Sequence, residues 1–265
     1  AELMPAGSVA SPVDEHRREN RRLWEEWSED FQAAWNADTD ESGLPPAPSP
    51  FAPDAPGGPQ PKILGSVEGC DYVELGCGGG QGSVGTADLG AETVVGVDFS
   101  GEQLRHARKL RDLYCVDARF VAGDVTDLPL ADDSFDVASS EWAFQMVADL
   151  DRALGEARRV LRSGGVFVCS VPHTLHEIVD RDDGTVERSY FETGPRTITI
   201  DDAELVVFDR TVADLHNALV DAGFDVRRLV EHRPREVEES DPAESDLPEI
   251  LWKVPQSVRV WAVVE

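Results

Sequence analysis

Acidic side chains and a run of glycines stand at the ends of apolar segments in the first half of the chain. Residues 72–80 read Tyr-Val-Glu-Leu-Gly-Cys-Gly-Gly-Gly, and Asp98 ends a second apolar run. Glycines let the main chain approach a ligand closely, because no Cβ stands in the way. Carboxylates beside such a turn accept hydrogen bonds from hydroxyl and ammonium groups. The combination predicts a pocket for an adenosine-containing cofactor with a charged tail.

The position of Glu74 separates two classes of cofactor that both use glycine-rich turns. A dinucleotide site holds a pyrophosphate, and a carboxylate two residues before the first glycine would repel it. Glu74 occupies that position, and a third acid, Asp124, follows another apolar segment in Gly-Asp-Val. The pattern favours S-adenosylmethionine. An NAD(P)-dependent oxidoreductase and a non-catalytic cofactor-binding scaffold are the two alternatives.

The segments that carry these residues alternate between strand and helix patterns. This alternation is typical of an α/β fold with a parallel sheet covered by helices on both faces. Ligands of such sheets bind beyond the carboxyl ends of the strands. Strands are predicted at residues 72–75, 93–97, 118–122, 135–139 and 166–171.

Each polar or aromatic side chain that directly follows a predicted strand can be given a role in a cofactor site, because ligands bind at these strand ends. Glu74 would receive the ammonium group, and Asp98 would accept hydrogen bonds from the ribose hydroxyls. Phe99 would cover one face of the adenine, and Asp124 would accept a hydrogen bond from its amino group. The predicted cofactor-binding residues are Glu74, Gly76, Cys77, Gly78, Gln81, Asp98, Phe99, Gln103, Asp124, Val125 and Ser140.

Methyl transfer from such a cofactor is an in-line displacement for which the protein supplies position and a dry pocket. A general base is needed only when the acceptor must lose a proton. The candidates are His173, Glu141 and His176, and His173 is the first choice because it follows the fifth strand directly. A hydrogen-bonded loop histidine is the alternative interpretation of His173. Since no further clustered ligand accompanies His173, His176 and Glu177, no metal site is predicted.

Five motifs between residues 70 and 171 resemble the core of class I S-adenosylmethionine-dependent methyltransferases. The similarity is to the methyltransferase type 11 domain, in the branch of the quinone-biosynthesis C-methyltransferases. It implies a doubly wound, seven-stranded, mostly parallel sheet of Rossmann-like type whose last strand is antiparallel. After the fourth strand, many relatives carry a histidine pair or a histidine with aliphatic residues, whereas this chain has Trp142, Phe144, Gln145 and Met146. The motifs are residues 73–80, 96–104, 123–125, 128–137 and 160–165.

The segments outside this core are predicted to cover it and to connect to it. Residues 1–43 form a helical lid whose aromatic stripe packs on the main domain, covers the cofactor, or does both. Residues 44–61 are a proline-rich linker, which we expect to be extended. Residues 62–265 form the methyltransferase domain, with a small cap inserted at 174–210. Aromatic residues of the helix and the cap favour a small, partly apolar acceptor molecule.

The net charge of the chain indicates which source and which partners to expect. It contains 52 Asp and Glu against 24 Lys and Arg, for a net charge of −28. Acidic residues spread along the whole chain indicate a halophilic protein, since molar salt shortens the range of repulsion between like charges to about 3 Å. Nucleic acid is not an expected partner, because phosphate backbones need concentrated Lys and Arg. No apolar run is long enough to span a bilayer, so a cytoplasmic location without membrane contact is predicted. The oligomeric state does not follow from the sequence.

Overall fold

The computed structural model describes residues 12–37, 39, 43–52, 64, 66–200, 203–233 and 247–265. The first eleven residues of the predicted lid lie outside this set. The second half of the predicted linker, residues 53–61, also lies outside it.

Strands and helices alternate through the core as the sequence predicts. The strands are β1 (Asp71–Leu75), β2 (Thr93–Asp98), β3 (Arg119–Ala122), β4 (Phe135–Glu141), β5 (Leu161–Pro172), β6 (Gly194–Ile200), β7 (Ala203–Asp209), β8 (Phe224–His232) and β9 (Ser257–Val264). The helices are α1 (Pro12–Asn36), α2 (Gln81–Asp88), α3 (Gly101–Tyr114), α4 (Leu150–Val160), α5 (Thr174–Glu177) and α6 (Val212–Asp221), with a short 3-10 helix at Phe144–Met146.

Seven of the strands form one sheet in the order β3-β2-β1-β4-β5-β9-β8. All neighbours are parallel except β9, which runs antiparallel to both β5 and β8. The strand order reverses at β1, which pairs with β2 on one side and β4 on the other. The predicted doubly wound, seven-stranded, Rossmann-like α/β fold is therefore confirmed. The register places Glu74 beside Gly96 and Ser139, so Glu74 lies at this point of reversal.

Both faces of the sheet are covered, which explains why its central strands are almost wholly apolar. Tyr72, Val73 and Leu75 of β1 are fully buried. One face packs on α4, where Ala153, Leu154, Ala157 and Val160 recur at helical spacing. Helices α2 and α3 cover the other face. These two layers hold the carboxyl ends of the strands in place.

The N-terminal helix packs against the β6–β7 hairpin, which is the antiparallel cap predicted after the fifth strand. The Asn20 side chain donates to the Val206 carbonyl at 2.8 Å and accepts from the Val206 N–H at 2.9 Å. Leu23 packs beside this pair against Leu205 and Val207. The helix and the hairpin thus form one covering layer over the carboxyl ends of the strands.

The described part of the proline-rich segment is a strap held against α2. The Ser49 and Thr86 hydroxyls lie 2.8 Å apart and are buried, and the Tyr114 hydroxyl donates to the Pro45 carbonyl at 2.8 Å. Gly85 of α2 lies so close to the Ala47 carbonyl that a side chain would displace it. The expected extended connector is therefore partly buried rather than lying freely on the surface.

None of the helices in the described residues is long and apolar enough to cross a lipid bilayer.

Candidate functional site

A cavity of about 1130 Å³ lies at the carboxyl ends of β1, β2, β4 and β5, beneath α1 and the hairpin. Every predicted cofactor-binding residue lines it except Ser140. Ser140 is fully buried, and Glu141 lines the cavity instead. Successive side chains of a strand point to opposite faces, and β4 extends to Glu141, so Ser140 faces away. The Ser140 side chain does not line the cavity, and a contact of Ser140 with the cofactor stays a prediction.

The glycine turn after β1 is bound to the neighbouring strand through its main chain. The N–H groups of Gly76 and Cys77 both donate to the Val97 carbonyl, at 2.8 and 3.0 Å. Gly76 and Gly78 have φ angles of 75° and 50°, a left-handed conformation that favours glycine. A side chain at Gly76 would also collide with Ala143. The turn is therefore both rigid and bare on the side that faces the cavity.

Asp98 links this turn to the start of α3. One carboxylate oxygen accepts from the Gly78 N–H at 2.9 Å, and the other accepts from the Ser100 N–H at 2.8 Å. The side chain is buried, and this burial raises the pKa of Asp98 to about 6. Each oxygen keeps a second lone pair, with which it can accept from a ligand hydroxyl. Asp98 is therefore suited to hold a ribose while it fixes the loops on both sides.

Glu74 is a buried acid at the centre of the site. It is 4 % exposed, and its Oε2 accepts from the Ser83 hydroxyl at 2.5 Å. Burial raises the pKa of Glu74 to about 8, an effect that the hydrogen bond from Ser83 only partly offsets. Since a carboxylate in such a place is costly without a counter-charge, the site favours a cationic ligand.

Glu141 adds a second, partly buried acid near Glu74. Its Oε2 accepts from the Arg259 guanidinium at 2.8 Å. Burial raises the pKa of Glu141, and Arg259 opposes this shift. The other oxygen, Oε1, is buried without a hydrogen-bond partner in the described part of the chain. It can therefore accept a hydrogen bond from a ligand in the cavity.

Both carboxylate oxygens of Asp124, the residue predicted to bind the adenine amino group, already accept hydrogen bonds within the protein. Its Oδ1 accepts from the N–H and the hydroxyl of Thr126, at 2.8 and 2.7 Å, and its Oδ2 accepts from Arg17 at 2.8 Å. Burial acts to raise the pKa of Asp124, but the hydrogen bonds from Thr126 and Arg17 outweigh it and the pKa is lowered. A hydrogen bond to the adenine amino group would share this carboxylate with Arg17.

Three polar side chains of α1 contact the cofactor-binding elements, and sequence reasoning missed all of them. Gln32 donates to the Gln103 side chain at 2.8 Å and accepts from the Gln81 side chain at 2.7 Å. Glu25 accepts from the Gly101 N–H at 2.8 Å, at the first turn of α3. Arg17, described above, is the third. These contacts join residues that are 49 to 107 positions apart, so no local pattern could have identified them.

His173 lines the cavity, but both of its ring nitrogens are occupied. Nδ1 accepts from the Leu175 N–H at 3.1 Å and thereby caps α5. Since that nitrogen is an acceptor, Nε2 carries the hydrogen and donates to Glu231 at 2.9 Å. His173 has no free lone pair in this geometry. The structure therefore favours the alternative interpretation, a hydrogen-bonded loop histidine.

His176 lies one helical turn further on and is in the opposite situation. It lines the cavity and is 3 % exposed. Neither ring nitrogen has a hydrogen-bond partner among the residues that the structure describes. Of the two histidines, His176 is the one that can accept a proton.

Aromatic side chains form the apolar wall of the cavity. The rings of Trp24, Trp27 and Phe31 on α1 lie 5.1 to 5.3 Å apart, centroid to centroid. Trp142 also lines the cavity, with a φ angle of 55°, and its N–H donates to the Ser170 carbonyl at 2.9 Å. A left-handed backbone is strained for so bulky a residue, and such strain clusters at ligand sites. This half of the cavity is suited to an apolar ligand.

Comparison with known proteins agrees with the geometry. Residues 73–169 match the family described as "Methyltransferase domain". Among solved structures, an S-adenosylmethionine-dependent methyltransferase from Mesorhizobium loti is 29% identical, with a TM-score of 0.63. That alignment covers 76% of this chain and 94% of the other.

Two curated relatives carry more specific names. A malonyl-[acyl-carrier protein] O-methyltransferase from Pectobacterium atrosepticum is 36% identical over 134 residues, 49% of this chain and 51% of that protein. A demethylmenaquinone methyltransferase from Renibacterium salmoninarum is 36% identical over 105 residues, 40% of this chain and 42% of that protein. The chain spans about half the length of the curated relatives it matches.

Proposed function

We propose that this chain, which carries a methyltransferase domain of the S-adenosylmethionine-dependent class, methylates a small, partly apolar acceptor. The observation that carries the proposal is the pair of buried acids, Glu74 and Asp98, on either side of the bare glycine turn. The same cavity continues beneath the aromatic rings of α1. One compartment therefore suits a cationic nucleoside, and the adjoining one suits an apolar acceptor.

The residues present fit the cofactor, which supplies an activated methyl group when it is bound. Glu74 would hold the ammonium group, and Asp98 would hold the ribose hydroxyls. Phe99 and Val125 would enclose the adenine, and Gln103 has a buried amide nitrogen without a partner in the described residues. A pyrophosphate beside the glycine turn would give Glu74 no counter-charge and would keep this buried acid from ionising, so Glu74 disfavours a dinucleotide.

The two compartments position the acceptor and keep water out. Helix α1 and the hairpin cover the strand ends, and the rings of Trp24, Trp27 and Phe31 would pack on the acceptor. An in-line displacement gains most of its rate from such positioning. The two named relatives act on different acceptors, so their names do not identify the acceptor of this chain. We therefore infer the acceptor from the residues that line the cavity. We propose that Glu141 or His176, rather than His173, receives an acceptor proton, because both ring nitrogens of His173 already have hydrogen-bond partners.

Calorimetry tests the cofactor, and an activity screen tests the reaction. S-adenosylhomocysteine should bind in the micromolar range while NAD shows no binding. Labelled S-adenosylmethionine in a fractionated cell extract should then mark a small molecule. Binding of NAD without S-adenosylhomocysteine would show the site to be an oxidoreductase site. Tight cofactor binding with no labelled product in any fraction would favour a non-catalytic scaffold.

The N-terminal helix is proposed to act as the cofactor lid. The double substitution Arg17→Ala and Gln32→Ala removes its hydrogen bonds to Asp124, Gln81 and Gln103. We expect S-adenosylhomocysteine to dissociate about 100-fold faster, since the three lost hydrogen bonds contribute about 1 kcal/mol each. Stopped-flow tryptophan fluorescence measures the rate. Arg18→Ala, at an exposed position on the same helix, is the control, and equal rates in all three proteins would refute the lid.

The acidic surface is proposed to be an adaptation to molar salt in a halophilic cytoplasm. At a net charge of −28, self-repulsion opposes folding in dilute buffer. We expect the thermal unfolding midpoint to rise by about 10 °C between 0.1 and 3 M KCl, equivalent to roughly 3 kcal/mol. Circular dichroism during heating measures this shift. A midpoint that stays constant or falls as KCl is added would contradict the proposal.

A further inference from the structure

The ring of His176 is a buried polar group for which the described residues provide no partner. A carboxylate oxygen of the neighbouring Glu177 lies 3.9 Å from Nδ1, which is too long for a hydrogen bond. Glu177 is instead drawn towards Arg196, at 3.3 Å. A buried polar group without a hydrogen bond costs folding free energy, so such groups are usually satisfied by a ligand or a water molecule. The position of His176 in the cavity wall indicates a ligand.

The backbone around His176 holds its ring in a defined place. Helix α5 follows β5 directly, and the His173 side chain caps its first turn. The His176 N–H donates to the His173 carbonyl at 2.8 Å, and the Thr174 hydroxyl donates to the Arg210 carbonyl. A short helix anchored at these points presents His176 without large conformational freedom. This rigidity suits a residue that must meet a bound molecule.

We propose that His176 accepts the proton of a hydroxyl group on the acceptor, so that the acceptor is an apolar molecule bearing a phenol or enol. This inference rests on the proposed function. A neutral imidazole offers one lone pair, which matches a hydroxyl donor. Arg196 is not available to bind an acceptor carboxylate, because it already donates two hydrogen bonds to the Asp209 carboxylate. The aromatic wall of Trp24, Trp27 and Phe31 matches a planar apolar body.

The step is balanced without any further reactant. The O–H bond of the acceptor breaks, and its proton moves to the unprotonated ring nitrogen of His176. The electron pair left on oxygen, or on the conjugated carbon, forms the bond to the methyl carbon. The bond between that carbon and sulfur breaks, and the sulfur leaves as the thioether of S-adenosylhomocysteine. His176 later releases its proton to water.

The test uses the full chain saturated with S-adenosylhomocysteine, with 4-nitrophenol and nitrobenzene as probes that differ by the hydroxyl. Equilibrium dialysis should show about tenfold tighter binding of 4-nitrophenol. His176→Leu should abolish that preference, whereas His176→Gln, which still accepts a hydrogen bond, should keep most of it. The phenolate absorption of bound 4-nitrophenol should increase in the wild type and in neither variant. Because the His176 side chain makes no hydrogen bond within the described residues, both variants should fold, and thermal unfolding checks this.

His216→Leu, at a partly exposed position on α6 that does not line the cavity, is the matched control and should behave like the wild type. Equal affinities of the wild type for the two probes would overturn the inference. A preference for 4-nitrophenol that persists in His176→Leu would overturn it as well. A failure of the proposed function can be distinguished from a failure of this inference. If the proposed function is wrong, the chain will not bind S-adenosylhomocysteine, which is measured before either probe is added.

Discussion

Replacing Asp98 with alanine is expected to lower the affinity for S-adenosylhomocysteine by more than about 100-fold, or roughly 2.7 kcal/mol. The substitution removes the acceptor for the ribose hydroxyls. It also removes the hydrogen bonds to the N–H groups of Gly78 and Ser100. Hydrogen bonds to a charged group are worth about 1.5–3 kcal/mol each, so the glycine turn would lose its preorganisation together with its ligand contact. Isothermal titration calorimetry measures the change.

Asp117→Ala is the matched control for the Asp98 experiment. Asp117 is an exposed acid that precedes β3 and does not line the cavity. Asp98→Asn separates the two effects, because it keeps the shape of the side chain and removes its charge. We expect an intermediate loss of affinity for Asn. If Asp98→Ala binds the ligand as tightly as Asp117→Ala does, the assigned role of Asp98 is wrong.

Replacing Glu74 with glutamine is expected to remove most of the pH dependence of cofactor binding. The pKa of Glu74 is about 8 because the group is buried, so the ligand-free protein carries its proton at neutral pH. A bound cation would favour the carboxylate and expel this proton. The affinity for S-adenosylmethionine should therefore rise between pH 6 and 8 by up to about tenfold per pH unit. Asp98, with a pKa of about 6, contributes at the lower end of this range.

Proton release provides the direct measurement. Calorimetry at pH 7 in two buffers with different ionisation enthalpies should show close to one proton released by the wild type. Glu74→Gln should release much less, and Glu92→Gln, at an exposed position after α2, should match the wild type. Binding by the wild type without proton release would show that Glu74 is already ionised or does not meet the cation.

The same pKa shift has a consequence for the stability of the ligand-free protein. A raised pKa means that the folded state binds the Glu74 proton more tightly than the unfolded state does. The protonated Glu74 side chain therefore contributes to the free energy of unfolding. This contribution is fully present below the ordinary pKa of 4.5 and is lost as pH rises through about 8. Each unit of pKa shift corresponds to about 1.4 kcal/mol. Saturation with S-adenosylmethionine should therefore raise the unfolding midpoint more at pH 8 than at pH 6.

Much of the cofactor half of the site could be predicted from the sequence, for a physical reason. In a parallel sheet the carboxyl ends of all the strands lie along one edge. Any polar residue directly after an apolar strand pattern must therefore lie near the others. Glu74, Gly76 and Asp98 obey this rule, and the structure places them around one cavity. Ser140 follows the predicted end of its strand, but β4 continues to Glu141, and it is Glu141 that lines the cavity.

The acceptor half and the lid were decided by tertiary structure. His173 and His176 stand three residues apart, and no sequence pattern distinguishes a capping ring from a free one. Only the fold brings Glu231 to His173 and leaves His176 facing the cavity. The aromatic stripe predicted that α1 is a helix but not which residues its polar face would meet. Such contacts depend on how separate elements pack, because they join side chains that are far apart along the chain.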